Sequence, residues 1–206
     1  MTDHQIVGHD DWIAARGRFP ARKKGFRRLR EELSRERREL PWECVKKEYL
    51  FEGENGAETL AHLFGGRSQL IVYHFMCEPD WDIGCKNGSF WADNFNGIIP
   101  HLNERDMSLV ATSPAPLEKL QAQAKRFGWT FKWVSCVGND FILDFNVCFA
   151  PEILAPSRPG ISAFFKDDGQ VFHTYSTYAR GLFDLQPGGV GEWPVTAKAP
   201  CCCASR

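Results

Sequence analysis

The stretch Leu70–Asn96, LIVYHFMCEPDWDIGCKNGSFWADNFN, constrains this chain more than any other. Its first part, Leu70-Ile71-Val72-Tyr73-His74-Phe75-Met76, is rich in β-branched and aromatic residues and has the length of a buried strand. The strand ends at Glu78-Pro79-Asp80, because proline cannot donate to a ladder. A loop through Trp81, Asp82 and Gly84 leads to Cys85, and Ser89–Phe95 reads as a helix with Phe90, Trp91 and Phe95 on roughly one side. Cys85 thus falls in a strand-loop-helix unit near a helix start. Free N–H groups and the helix dipole favour a thiolate at such a place.

With 206 residues the chain is long enough for one full core and an N-terminal extension. A net charge of −1 gives no global case for nucleic acid or a membrane surface, and no apolar run is long enough for a membrane span. Met1-Thr2-Asp3-His4 lacks a basic-then-apolar leader pattern, so the expected location is cytoplasmic. The eight cysteines, at 44, 77, 85, 136, 148, 201, 202 and 203, form no paired CxxC knuckles, which argues against structural zinc. Cys136 and Cys148 lie among apolar residues and read as buried, inert thiols. No metal at the site and no cofactor is expected.

In chain order, a short helix is expected at Asp10–Arg16 and a second at Ala21–Leu40, where Phe26, Leu29, Leu33 and Leu40 keep the helical period. The many arginines of the second helix read as a solvated face or, alternatively, as a patch for RNA or an acidic partner. Trp42–Phe51 reads as one strand closed by the Gly53–Gly56 turn, with a short helix at Glu58–Phe64. After the Cys85 unit come helical residues Gly97–Asn103 with a break expected at Pro100, a strand at Met107–Thr112 and a helix at Pro116–Phe127 ended by Gly128. Trp129–Trp133 leads into a less regular, aromatic-rich segment through Pro159. Ile161–Phe165 and Val171–Tyr175 flank a hairpin signal, Lys166-Asp167-Asp168-Gly169, and a short helix is expected at Tyr178–Leu185. The expected domains are a helical extension at 1–40, an α/β domain at 41–186 and an irregular cysteine-rich tail at 187–206 that binds soft metals or oxidises between chains.

The order implies a mixed sheet flanked by helices, with a cysteine after the first core strand, which is the thioredoxin-type arrangement. The stretches LPWECVKKEYLFEG (40–53), LFGGRSQLIVYHFM (63–76), PDWDIGC (79–85), SFWADNFNG (89–97), PHLNERD (100–106), GWTFKWVS (128–135) and PGISAFFKDDGQVFHTYSTYARG (159–181) resemble the thioredoxin-like domain-of-unknown-function family 899. Its members are described as predicted dithiol-disulfide oxidoreductases. The resemblance implies a thioredoxin-like α/β fold and a thiol at Cys85. Two departures stand out. Gly88 occupies the place of the second cysteine in the family's G-C-x-x-C-S-F pattern, and the chain after Gly181 leaves the family's apolar continuation.

A dithiol enzyme needs a second thiol to resolve the mixed disulfide made by the first. A lone Cys85 leaves three routes: an external thiol, peroxide reduction through a sulfenic acid, or another cysteine of the chain. Cys77 is the nearest stand-in if the Glu78–Gly84 loop folds back. A free cysteine is only about 3% thiolate at pH 7, and making it mostly thiolate takes about 3.4 kcal/mol. A helix start supplies about 0.3–1 kcal/mol, up to about 2, so more is needed. Lys86 would add to it, and Asp80 and Asp82 would oppose it. Trp81, Gly84, Lys86, Trp91 and Ser162 are the expected substrate-side residues. Core packing is the competing reading for both tryptophans, and a satisfied core histidine is the reading for His74 and His173. Ser162 stands where a thioredoxin fold usually carries a cis-proline, with Pro159 just upstream. The functional reading is a thiol oxidoreductase, reducing disulfides or peroxides with a thiol electron donor. The alternative is a non-catalytic binding module that has lost its dithiol.

Overall fold

The computed structural model describes residues 4–147 and 158–178. The expected thiol environment of Cys148, the short helix beyond Tyr178 and the tail with Cys201–Cys203 lie outside them. The chain divides after Pro41 into two units.

The first unit is a single helix, α1 (His9–Arg38), rather than two. It runs through Pro20, which removes one backbone donor without ending the helix. Asp10 and Asp11 in its first turn and Arg35, Arg37 and Arg38 in its last complement the dipole. Phe26, Leu29 and Leu33 are each more than half exposed.

The second unit is built on an eight-stranded mixed sheet in the order β1-β8-β7-β4-β5-β6-β2-β3. Its strands are β1 (Glu43–Cys44), β2 (Leu50–Gly53), β3 (Gly56–Thr59), β4 (Gln69–His74), β5 (Met107–Ser113), β6 (Lys132–Ser135), β7 (Gly160–Asp167) and β8 (Gln170–Tyr178). The helices are α2 (Lys86–Ala92), α3 (Ile99–Asn103), α4 (Leu117–Phe127) and α5 (Phe141–Asp144). β4 pairs in parallel with β5 and antiparallel with β7, as the βαβα reading and the hairpin required. In the β7–β8 turn Asp168 and Gly169 both have positive φ (48° and 78°), the geometry of a two-residue type I′ loop.

Other expectations fail as well. The strand read over Trp42–Phe51 is two strands at opposite sides of the sheet, β1 beside β8 and β2 beside β6. Glu58 lies in β3 rather than in a helix, and only His62–Phe64 turns helically, as a 3-10 segment. Pro100 sits in the first turn of α3 and starts that helix rather than breaking it. β6, in the segment read as irregular, extends the parallel set.

Alternation along β4 divides the core. Leu70 and Val72 face a cluster with Phe51, Phe64, Phe141 and Phe145, whereas Tyr73 and Phe75 face one with Trp91 and Phe95 near α2, Leu120 and Ala124 of α4, and Trp129 and Trp133. Phe75 is at the centre of the second, edge-on to both Trp129 and Trp133 at 5.9 and 5.1 Å. We expect Phe75→Ala to destabilise the fold by about 3–5 kcal/mol, read as a lower urea midpoint at unchanged slope. A loss below about 1 kcal/mol would contradict this packing. No helix among the described residues is long and apolar enough to cross a membrane.

Candidate functional site

Cys85 is the N-cap residue of α2, in extended backbone geometry (φ −55°, ψ 129°), and its side chain is half-buried. Its place is fixed from three sides. Its own N–H donates to Met76 O at 2.9 Å, so the loop after β4 folds back on the strand end. Its carbonyl accepts from Ser89 N (2.8 Å) and Ser89 Oγ (3.0 Å). From beneath, the buried Tyr73 hydroxyl donates to Gly88 O at 3.1 Å. Burial, reinforced by neighbouring Cys85, raises the Tyr73 hydroxyl above its ordinary range and keeps it a donor.

α4 holds the other side of the loop. Gly84 N–H donates to Gln123 Oε1 at 2.9 Å, and Lys119 Nζ donates to Pro79 O (2.8 Å) and Trp81 O (2.6 Å). Gly84 is buried, and a Cβ there would run into the Phe75 ring, so only glycine lets the loop pass. Neither Lys119 nor Gln123 stood out in the sequence. The one legible signal was Gln123 beside Ala124 and three residues after Leu120, on the apolar side of the helix.

The other expected residues fall as follows. Lys86 is exposed, Trp81 is half-buried on the loop, and Trp91 is in the core. Gly88, in the first turn of α2, is buried against Phe75 and Tyr73. Cys77 is fully buried, and burial raises its thiol, opposed by the nearby Lys119. Burial likewise pushes Cys136 up to about 12, in accord with an inert thiol. Cys44 is exposed on β1. Ser162 is not brought to Cys85. It pairs with Val72, on the opposite face of β4 from Tyr73, is fully buried, and binds His74 Nε2 and Ser176 Oγ, each at 2.8 Å. The described peptide bonds include no cis bond. Among the described residues no three His, Cys, Asp or Glu side chains group as metal ligands.

A model of the family described as bacterial protein of unknown function (DUF899) matches residues 1–188. The chain belongs to DUF899. No curated protein matches its sequence. Among solved structures, this DUF899 chain is similar to a PrxQ mutant of Xylella fastidiosa, with 11% identity over 68% of this chain and 85% of that one and a TM-score of 0.55. It is also similar to the peroxidoxin BcpB of Mycobacterium tuberculosis (14% identity, 65% and 84% covered, TM-score 0.50). A peroxiredoxin-like protein of Aquifex aeolicus gives 12% identity, 68% and 77% covered and a TM-score of 0.50. At these identities the likeness is one of fold, and with the sheet described above it makes this DUF899 member a thioredoxin-like α/β protein.

Proposed function

We propose that this chain is a single-cysteine thiol oxidoreductase, with Cys85 as nucleophile, a peroxide or a disulfide as substrate, and an external thiol as electron donor. The observation that carries this reading is the setting of Cys85: half-buried ahead of α2, on a loop tied to β4 and α4, with a packed glycine where the second thiol of a dithiol pair would stand. The peroxiredoxin-type neighbours support the peroxide arm.

With a peroxide, the thiolate sulfur attacks one oxygen. The S–O bond forms, the O–O bond breaks, and the departing alkoxide takes a proton, giving a Cys85 sulfenic acid and an alcohol. A donor thiol then condenses with the sulfenic acid, releasing water. A second donor thiolate attacks the mixed disulfide and leaves Cys85 reduced. With a disulfide, Cys85 thiolate displaces one substrate thiolate directly, and the same resolving step follows. Trp81 and Lys86 are the proposed substrate contacts, while the buried Gly84 holds the loop in place. The buried Cys77 thiol is a poor attacking group, which favours the external donor over an internal resolving cysteine.

The test is the pH dependence of iodoacetamide labelling of each cysteine, read by peptide mass spectrometry, together with turnover of hydroperoxide in dithiothreitol. We expect Cys85 to react at neutral pH at least about tenfold faster than exposed Cys44. Turnover should vanish in Cys85→Ser and persist in Cys77→Ser. Labelling no faster than Cys44, with no peroxide or disulfide turnover, would leave a binding module that keeps the fold without the chemistry.

A further inference from the structure

Beside the Cys85 loop a cavity of about 150 Å³ opens between that loop and α4, lined by Asp82, Ile83, Lys119, Gln123, Arg126 and Phe127 among others. Its charge is unbalanced. Two cations and one carboxylate line it, and none of the three is in an ion pair among the described residues. The Arg126 guanidinium only overlies the Phe127 ring, at 5.8 Å. Lys119 has spent two of its three hydrogens on Pro79 O and Trp81 O. Gln123, 7% exposed, gives its oxygen to Gly84 N–H and leaves its buried amide nitrogen without an acceptor. That nitrogen lies inward, 2.9 Å from where a Gly84 Cβ would stand and beside the Phe75 ring, so the charge of the cavity comes from Lys119 and Arg126.

We infer that this cavity is a subsite for a single carboxylate, carried by the thiol or disulfide that reacts at Cys85. Arg126 and the third hydrogen of Lys119 supply charge, and Ile83 and Phe127 cover the attached methylenes. Asp82 limits the anion to one charge. The volume accommodates a carboxylate with a short alkyl stem rather than a large ligand. The assignment of a reacting thiol rests on the function proposed above, whereas the binding itself does not.

The test titrates isotope-labelled full-length chain with 3-(methylthio)propionate, which cannot react with a thiol, and with its amide. The readouts are the Gly84 N–H and the Gln123 side-chain NH₂ signals. The acid should give saturable shifts of both and the amide none. Arg126→Gln should weaken binding by about fivefold or more, while Lys125→Gln, a charge change outside the lining, should not. Absent shifts, equal shifts for acid and amide, or equal loss in the two variants would overturn the subsite. The rates of Cys85 with 3,3′-dithiodipropionate and with its diamide form the second arm. The acid should react faster, and Arg126→Gln should erase the difference. Binding without any Cys85 reaction would refute the redox reading alone, and fast reaction without binding would refute the subsite alone.

Discussion

Gly88→Cys should convert the chain into a dithiol reductase. Position 88 follows Cys85 by three residues on the first turn of α2, so the two side chains share one face. Its backbone does not require glycine. A Cβ there would stand 3.1 and 3.3 Å from ring carbons of Phe75 and 3.3 Å from the Tyr73 hydroxyl, which is tight but demands a shift of only a few tenths of an ångström. The cost in stability should be about 1–3 kcal/mol, the usual range for overpacking. The new thiol would attack the mixed disulfide on Cys85 and release the substrate within one molecule. We expect insulin reduction driven by dithiothreitol to rise at least about tenfold above the native chain, as intramolecular resolution replaces a bimolecular step. The gain should disappear when Cys85→Ser is added. A folded Gly88→Cys variant with no gain would show that Cys85 is not placed for disulfide chemistry.

The second large effect is in acid. His74 is fully buried, stacked on Phe141 at 5.5 Å, with Nε2 bound to Ser162 and Nδ1 without a partner among the described residues. Burial, with His173 adding repulsion, pushes it down to about 3. The sign follows. The folded value lies below the unfolded one, so between them the unfolded chain binds the extra proton. Stability from neutral His74 is complete above about pH 6.5 and falls as the pH drops, by at most about 1.4 kcal/mol per unit. Urea unfolding from pH 7 to 5 should show that slope in the native chain. In His74→Gln, which keeps an amide able to meet Ser162, the slope should be shallower. Equal slopes would mean that His74 charges inside the fold.

What the sequence disclosed followed the reach of its signals. β4 was legible because its apolar run is buried on both faces, and the β7–β8 hairpin because Asp168-Gly169 is a local turn code. The splitting of the 42–51 segment was not legible, because its two halves are claimed by remote partners: Cys44 by Phe172, Glu52 by Ser135. At the site, Cys85 declared itself through the loop and helix around it. Lys119 and Gln123 did not, since they reach the loop from about forty residues away and resemble ordinary helix polar positions. Ser162 was chosen by analogy of place along the chain. The pleat turned it to the other side, into a hydrogen-bonded line running from His74 through Ser176 to His173.

The Phe75 ring fills the volume that a side chain at position 84 would occupy and presses on position 88 as well. Three positions are therefore coupled in mutational space. A methyl group at 84 is harmful while 75 is phenylalanine, and a smaller residue at 75 is harmful while 84 is glycine, because it leaves a hole. Each change is harmful singly and tolerable together, the pattern of sign epistasis. A lineage can thus exchange residues at exposed Asn87 without disturbing this packing, while the ring and the glycines beneath the cysteine loop must drift together or stay as they are.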